Sequence, residues 1–383
     1  MHLLNHHREP ASPLGVTPTL SWSVLSADER KAALAMWRSV EHQHPQLPLL
    51  SRTAWVETWL EVYGEVVDHR FVICFDEDRP VAVILLTYDV DAARVWWGGR
   101  IGHVGTAGEP DADSVCVEYN AIACLPGYET AVWAVVLMYL RHQPDWDAWQ
   151  WDGFESSLVP EDLLFSGGKV QRVVKMARYV DFTSLREQQR ELIEAFGNST
   201  RSSIRQNLRH YAPCRLEWCA DLPTAEQAFE QLMELHQQRW QAEGQPGCYA
   251  SPLFTTFHRQ LLRRLVPSGQ MVITRVWQGE TLLGCSQVLI DRQRALLYQG
   301  GRIIDQGKHS PGLVTDFLTM QACYQQGYRA FDFMAGDSLH KRRLTTHTAE
   351  LVWLAWVRPS WKGRVLEGLR LVKRSWRWMV CKH

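Results

Sequence analysis

Residues 272–302 read VITRVWQGETLLGCSQVLIDRQRALLYQGGR, and this stretch decides the fold. An apolar run leads to a turn at residues 277–280, a longer apolar run follows, and a second turn leads to a third run that ends in Gly-Gly-Arg. Short apolar runs bounded by turn residues are typical of β-strands joined by hairpins. The stretch therefore predicts three consecutive antiparallel strands.

The same pattern occurs earlier in the chain, at residues 72–100, VICFDEDRPVAVILLTYDVDAARVWWGGR. Four identical residues recur at a constant separation of 200 positions, and the closing Gly-Gly-Arg recurs 202 positions later. The four matches are Val72 with Val272, Ile73 with Ile273, Asp91 with Asp291 and Arg94 with Arg294. Internal similarity of this kind predicts two copies of one structural unit.

A helix and another strand follow the hairpins in both copies. Pro126-Gly127 and Pro311-Gly312 each open a predicted helix with proline at its first position, and Ser310 is a good N-cap for the second. Predicted strands follow at residues 148–154 and 330–334. Amphipathic patterns predict helices at 54–63, 225–240 and 252–265, and a helical connector over 185–211. We therefore expect a mixed α/β protein with two tandem domains, 20–183 and 184–359, and a basic tail, 360–383.

Length and composition agree with this organisation. The 383 residues suggest two domains at roughly 150 residues each, and the net charge of −1 argues against a nucleic-acid partner. Nine cysteines without a Cys-x-x-Cys motif indicate reduced thiols and no zinc. The first residues lack the apolar stretch of a signal peptide, and no run is long enough to span a membrane. We expect a cytoplasmic protein without a metal.

Three features have two interpretations each. The 18 tryptophans either stack on sugars or fill the cores. Arg201, Arg205 and Arg209 follow one another every four residues, as either a solvated connector face or a ligand-binding stripe. The tail at 360–383 has seven Lys and Arg against one Glu, so it either lies at the inner face of an anionic membrane or packs on its own domain.

This order of elements resembles the GNAT acetyltransferase fold. The resemblance implies that the pantetheine arm of an acyl-CoA lies between the splayed fourth and fifth strands, here residues 294–300 and 331–333. It also implies that the pyrophosphate meets the helix after the fourth strand, where free N–H groups and the helix dipole favour an anion. In place of the usual motif Arg/Gln-x-x-Gly-x-Gly/Ala, residues 307–312 read GKHSPG.

Further motifs in the second copy resemble the double-GNAT group of FemAB-like peptidoglycan aminoacyltransferases and cellulose-biosynthesis (CelD)-type acetyltransferases. The resemblance covers roughly residues 50–358. It is carried by Ser310-Pro311-Gly312, by His236-x-x-Arg239-Trp240 followed by Gly244 and Gly247, by Gly327-Tyr328, and by Asp332-Phe333 followed by Gly336 and Lys341.

Three residues are candidates for the chemistry. The resemblance implies that Lys341 faces the reacting carbonyl and stabilises its oxyanion, although Lys341 is otherwise a surface lysine of a basic run. Asp332, whose side chain points away from its two phenylalanine neighbours, is either a general base or amine ligand, or a structural hydrogen-bond acceptor. Asp337 either binds an amine or hydroxyl, or is a turn residue. No Ser-His-Asp or Cys-His arrangement stands out, so we expect no acyl-enzyme.

The donor-binding candidates surround the mouth of the second helix: Tyr298, Arg302, His309, Ser310 and Gly312. Arg302 would meet a phosphate. Arg100 takes the same place in the first copy, so a shared structural role is the alternative.

The acceptor-binding candidates are Glu118, Asn120 and Trp240. The first two lie in an insert between Arg100 and Pro126 that is much longer than its counterpart in the second copy, and long loops in compact repeats often carry function. The alternative is a pair of edge-strand residues.

Together these features predict an N-acyltransferase that uses acyl-CoA, with acetyl as the acyl group, on an amino sugar or a cell-envelope or polysaccharide precursor. The second domain would hold the donor and the reacting groups, and the first would shape the acceptor site. One alternative is a FemAB-like aminoacyl-tRNA-dependent transferase, which the net charge of −1 and the lack of an inserted helical arm disfavour. The other is a non-catalytic binding protein of a polysaccharide system. The expected partner is a small-molecule or glycan acceptor, and no nucleic acid.

Overall fold

The computed structural model describes residues 19–90, 100–143, 145–160, 169–305 and 307–358. The chain divides into two compact units, residues 1–174 with 352–383, and residues 175–351. The predicted basic tail at 360–383 lies outside the described residues, as do Asp91 and Arg94 of the sequence repeat.

The first unit contains a sheet with the strand order β1-β2-β3-β4-β6, with the short β5 paired to β3. Helices pack on this sheet through apolar faces rich in tryptophan, and Trp55, Trp59 and Trp149 are fully buried. The elements are β1 (Ser21–Ser26), α1 (Arg30–Gln43), α2 (Thr53–Tyr63), β2 (His69–Asp76), β3 (Arg79–Tyr88), β4 (Ile101–Val104), β5 (Ala123–Cys124), α3 (Glu129–His142) and β6 (Ala148–Glu155).

The second unit repeats this order as β8-β9-β10-β11-β12, with the end of β7 paired to β12. Strands β7 (Lys169–Asp181) and β13 (His347–Val357) each contain a unit boundary. The other elements are α4 (Thr183–Glu187), α5 (Asn198–His210), β8 (Cys214–Cys219), α6 (Leu222–Ala242), α7 (Pro252–Leu265), β9 (Met271–Gln278), β10 (Thr281–Asp291), β11 (Arg294–Arg302), α8 (Pro311–Gln325), β12 (Ala330–Ala335) and α9 (Leu339–Arg343).

The three long helices after β8 begin in the same way. Asp221, Ser251 and Ser310 each cap a helix by accepting a hydrogen bond from the N–H three residues later, and each helix has proline in its first turn. Side-chain caps satisfy N–H groups that the helix leaves free, and proline loses nothing at this position because its missing donor would have had no partner. The sequence prediction for α7 is confirmed residue for residue.

The two sheets share the same pairing pattern. β2, β3 and β4 are antiparallel neighbours and β4 is parallel to β6, while β9, β10 and β11 are antiparallel neighbours and β11 is parallel to β12. Each sheet adds one antiparallel strand at its first edge, β1 or β8. The predicted mixed α/β class with two tandem copies of one unit is therefore confirmed.

The sequence alignment of the two copies is wrong at the Gly-Gly-Arg motif. In the second unit, Arg302 is the last residue of β11, because a two-residue turn at Arg292 and Gln293 joins β10 directly to β11. In the first unit, Arg100 precedes β4, and β3 pairs with β4 from Tyr88 and Gly102 onward. The first connection is longer, so Arg100 and Arg302 do not occupy equivalent positions.

Two predicted helices also differ from the structure. Helix α3 begins at Glu129 and not at Pro126, because Gly127 has a φ of +91°, which is outside the helical region. The connector at 185–211 is not one helix, since α4 ends at Glu187 and α5 begins at Asn198 after an irregular stretch. Helix α5 buries Ile204 in the core of the second unit, together with Phe317 and Met320 of α8.

Candidate active site

A cleft opens in the second unit where two parallel strands diverge. β11 and β12 pair at only three positions, of which Leu296 with Asp332 is the last. β11 continues unpaired on this side to Arg302, while β12 continues beside β7. Within the described residues, this edge of β11 therefore has no strand partner after Leu296.

A β-bulge lies in β11 beside this cleft. Gln287 of β10 pairs with Gln299, and its neighbour Val288 pairs with Leu297, so the register shifts by one residue at Tyr298. The rings of Tyr298 and His258 lie 5.3 Å apart, and the Gln299 amide nitrogen lies 3.9 Å from the Cys248 sulfur. The bulge therefore turns two consecutive side chains toward the same helical side of the sheet, that of α6 and α7.

The first turn of α8 lies against the end of β11. The Ser310 hydroxyl accepts a hydrogen bond of 3.2 Å from the Leu313 N–H, and the Ser310 N–H donates one of 2.6 Å to the buried Asn207 side chain of α5. A Cβ atom on Gly312 would lie 2.6 Å from Cδ of Arg302. The absence of a side chain at Gly312 thus lets Arg302 lie across the start of the helix.

Arg302 is half-buried, and its guanidinium has no hydrogen-bond or ion-pair partner among the described residues. Burial lowers its pKa, and the nearby positive charge of Arg239 lowers the pKa further. An unpaired guanidinium beside a helix N-terminus can bind an anion through charge-assisted hydrogen bonds. His309 is adjacent, with its ring stacked on His210 at a centroid distance of 3.9 Å.

Lys341 is anchored at the end of β12. Its Nζ donates a hydrogen bond of 2.7 Å to the Ala335 carbonyl and lies 3.5 Å from the Met334 carbonyl. A Cβ atom on Gly336 would lie 3.1 Å from this Nζ, so the glycine lets the chain pass close to the ammonium. The structure places Lys341 partly buried at the carboxyl end of the diverging strand, which is where the cleft opens.

Asp332 is fully buried, and both of its carboxylate oxygens are engaged. One oxygen forms an ion pair with Arg294, and the other accepts a hydrogen bond of 2.6 Å from the Met334 N–H. Met334 has a φ of +60°, a conformation that costs energy for a residue with a side chain. The Asp332 carboxylate therefore holds β12 in the bent conformation that separates it from β11.

Asp337 lies between two guanidinium groups, those of Arg178 and Arg342. Its hydrogen bonds to Arg342 and Arg178 lower its pKa to about 2. The carboxylate is consequently ionised at neutral pH and is too weak a base to take a proton from an amine. The geometry instead lets Asp337 tie α9 to β7.

The structure brings together a cysteine and a histidine that the sequence analysis missed. The Cys248 sulfur lies 3.6 Å from Nε2 of His236, which also accepts a hydrogen bond of 2.9 Å from the Trp240 indole. Burial raises the pKa of Cys248 to about 12 and lowers the pKa of His236. The thiol therefore stays protonated, and the pair is not an activated nucleophile. His236 instead fixes the ring of Trp240, the acceptor candidate of this unit.

In the first unit, Asn120 lies between the ends of β4 and β6. Its N–H donates to the Gly153 carbonyl over 2.9 Å, and its side-chain nitrogen donates over 3.2 Å to the carbonyls of both Val104 and Asp152. Glu118, two residues earlier, is also buried. The insert that carries these two candidates therefore fills the position that is an open cleft in the second unit.

A buried titratable cluster in the first unit was also missed. Nδ1 of His103 lies 2.8 Å from the Asp152 carboxylate, and its Nε2 lies 3.6 Å from that of Asp89. Glu109 is buried close by, and desolvation raises its pKa. These residues come from separate strands and loops, so no spacing in the sequence links them.

Among the residues that the structure describes, no group of three or more His, Cys, Asp and Glu side chains is arranged to hold a metal ion. No described helix has both the length and the apolar character that crossing a membrane requires.

Comparisons with known proteins agree with the fold. Residues 198–342 match the family described as acetyltransferase (GNAT) domain. The crystal structure of FemX is similar with a TM-score of 0.54 at 13% identity, over 88% of this chain and 97% of that one. The C-terminal domain (DUF2156) of a putative lysylphosphatidylglycerol synthetase from Agrobacterium fabrum is similar with a TM-score of 0.51 at 10% identity, over 89% and 97%. Among curated proteins, none matches the sequence.

The family match spans α5 to α9, which include the diverging strands, the first turn of α8 and Lys341. This region is a GNAT acetyltransferase domain, and the chain as a whole has the two-domain GNAT fold. The match therefore indicates an acyltransferase domain of the GNAT type at residues 198–342.

Proposed function

We propose that this protein is an acyl-CoA-dependent N-acyltransferase that transfers an acetyl group to an amino sugar or a related precursor of the cell envelope or a polysaccharide. The observation that carries the proposal is the divergence of β11 from β12, with Arg302, which has no polar partner in the described part of the chain, across the first turn of α8. The resemblance of the second unit to cellulose-biosynthesis-type acetyltransferases supports this class of acceptor.

The donor would lie along the cleft. Its pyrophosphate would meet Arg302 and the N–H groups at the start of α8, since both favour negative charge. Its pantetheine arm would run between the strands, where the unpaired edge of β11 offers hydrogen bonds to its amides. This pose brings the thioester toward the bulge at Tyr298 and the anchored Lys341.

The reaction needs no covalent intermediate with the protein. The neutral amine attacks the thioester carbonyl, the carbon–sulfur bond breaks, and the proton lost from nitrogen ends on the departing thiolate of CoA. Lys341 would stabilise the oxyanion that develops on the carbonyl oxygen. The protonated Cys248 and the very weak base Asp337 agree with direct attack.

The acceptor would approach from the side of α6, where His236 fixes the half-buried indole of Trp240. An indole face is a suitable surface for a sugar ring. We further propose a cytoplasmic location, because the acyl donor and the precursor would be found there. The basic tail at 360–383 is the segment to test for contact with the inner face of a membrane.

Acetyl-CoA binding and turnover test this proposal. Acetyl-CoA at one hundred times its dissociation constant should stabilise the protein by about 2.7 kcal/mol, which a thermal shift detects. The release of free CoA thiol should then require an added amino sugar, and the N-acetylated sugar should form as the second product in equal amount. A protein that shows no shift and no thiol release with any amino sugar of a panel would contradict the proposal.

A further inference from the structure

Helix α5 has one face that packs on its own unit and one face that carries only positive charge. Ile204 and Asn207 on the inner face are buried, whereas Arg205 and Arg209 on the outer face are exposed. The helix contains no acidic residue. Arg201 lies one turn before Arg205 on the same outer face, with its guanidinium held by the side chain of Asn198.

Neither Arg205 nor Arg209 has a hydrogen-bond or ion-pair partner anywhere in the part of the chain that the structure describes. Unpartnered like charges one helical turn apart repel one another and destabilise a helix slightly. Arginines on the exposed side of α7 have acidic partners instead, since Arg259 pairs with Glu230 and Arg263 with Glu226 of α6. The outer face of α5 is therefore better suited to an anionic ligand than to solvent alone.

The carboxyl end of α5 is joined to the mouth of the donor cleft. The Asn207 side chain accepts a hydrogen bond of 2.6 Å from the Ser310 N–H, and the ring of His210 stacks on that of His309. Asp305, an acidic side chain at this mouth, is engaged by the Tyr211 hydroxyl and by the Gly307 N–H. Arg209 thus lies in the chain between Asn207 and His210, the two residues of α5 that contact the mouth.

We propose that the outer face of α5 binds the 3′-phosphate of the ribose of CoA, with Arg209 as the principal contact and Arg205 as the second. The inference rests on the proposed use of acyl-CoA. With the pyrophosphate at Arg302 and the start of α8, the nucleotide end of the donor projects from the mouth, and a phosphate ester there carries close to two negative charges. Guanidinium groups match such an ester through paired hydrogen bonds.

The spacing of the stripe predicts a graded effect. Residues four apart on a helix are separated by about 6 Å along its axis, so Arg205 and Arg201 lie about 6 Å and 12 Å farther from the mouth than Arg209. The binding of a single phosphate at the mouth should therefore depend strongly on Arg209, less on Arg205 and hardly on Arg201. A long polyanion would instead use all three about equally.

Calorimetric titration of the full chain with CoA and with 3′-dephospho-CoA tests the proposal. The unmodified protein should bind CoA about tenfold more tightly than 3′-dephospho-CoA. Arg209→Gln should remove most of this preference and should leave the affinity for 3′-dephospho-CoA within about twofold of that of the unmodified protein. Arg205→Gln should remove a smaller part of the preference. Arg329→Gln, which removes an exposed charge just before β12 and far along the strand from its carboxyl end, should leave both affinities unchanged.

Each other outcome overturns the proposal in a distinct way. Equal affinity of the unmodified protein for both nucleotides would refute the phosphate contact and leave the proposed acyltransferase function intact. If Arg209→Gln lowered the affinity for CoA and for 3′-dephospho-CoA equally, Arg209 would contact the pyrophosphate and not the 3′-phosphate. Equal effects of all three arginine variants, with competition by a single-stranded RNA, would assign the face to nucleic acid. Failure of both nucleotides to bind would overturn this inference and the proposed function together.

Discussion

Each unit contains an equivalent pair of parallel strands, but the pairing of the two strands ends differently in the two units. In the first unit, β4 and β6 stay paired to the end of β4 at Val104, and Asn120 then continues the pairing beside Phe154. In the second unit, the pairing of β11 and β12 stops at Leu296, and none of the described residues pairs with this edge of β11 beyond it. One unit is closed where the other is open.

Each ending is enforced by specific residues. A Cβ atom on Gly105 would lie 2.7 Å from the Asn120 side chain, and one on Gly153 would lie 2.3 Å from the Val117 carbonyl, so both glycines make room for the insert. In the second unit, Asp332 instead fixes the bend at Met334. The comparison suggests that a duplicated fold kept one ligand cleft and used the other position for packing, which the following changes test.

The largest expected effect is on the stability of the open unit. Asp332→Asn leaves Arg294 without its buried counter-charge, and breaking a buried ion pair in this way costs about 3 kcal/mol or more. The free energy of unfolding from urea titration should fall by that amount. The matched control is Gln150, which is the third residue of β6, just as Asp332 is the third residue of β12. Because Gln150 carries no charge, Gln150→Ala should lower the free energy of unfolding by less than about 1 kcal/mol.

The same variant separates two roles of Asp332. A general base lost at this position would make turnover depend steeply on pH wherever the acceptor amine is still protonated, even in protein that remains folded. A structural carboxylate would leave the pH profile of the folded fraction unchanged. The contacts of Asp332 predict the second result.

The next effect is on turnover. Lys341→Ala should lower the rate of acetyl transfer about a hundredfold with little change in donor affinity, because an oxyanion donor acts mainly in the transition state. Lys341→Arg should restore little, since a planar guanidinium places its charge differently. Arg343→Ala, an exposed residue of the same basic run, is the matched control. Near-normal turnover in Lys341→Ala would return Lys341 to the role of a structural lysine that contacts the end of β12.

The closed unit gives the third test. Asn120→Ala removes a buried side-chain amide that donates hydrogen bonds to the carbonyls of Val104 and Asp152, so the free energy of unfolding should fall by about 2 kcal/mol. The number of acetyl-CoA molecules bound per chain should stay at about one. An unchanged stability with a raised KM for the acceptor would instead support the sequence-based prediction that Asn120 binds substrate.

Local patterns predicted the elements well. Alternation and turn residues predicted β9 to β11, and a capped amphipathic pattern predicted α7 with its observed bounds. The start of α8 followed from Ser310 as N-cap and from proline at the first helical position. These features depend on residues close together in the chain, which is why the sequence was sufficient.

Contacts between distant elements were not predictable. His236 with Cys248, and His103 with Asp152, join residues whose proximity depends on how whole helices and strands pack. One charged partner of each aspartate, Arg294 for Asp332 and Arg178 for Asp337, comes from another strand, so the sequence left their roles open. The length of the connection between β3 and β4 could not be predicted from the sequence either, and the wrong equivalence of Arg100 and Arg302 resulted from this.

That wrong equivalence provides the last and smallest test. Both arginines follow Gly-Gly, but only Arg302 lies across the first turn of a helix, and Arg100 is exposed before β4. Arg302→Gln should weaken acetyl-CoA binding about tenfold, the expected loss of one charge-assisted contact to phosphate, while Arg100→Gln should leave the affinity within about twofold. Calorimetry at low and high salt should show the difference shrinking as salt screens the contact. Equal weakening by both substitutions would mean that the first unit also binds the donor, and the contrast between a closed and an open unit would then not describe function.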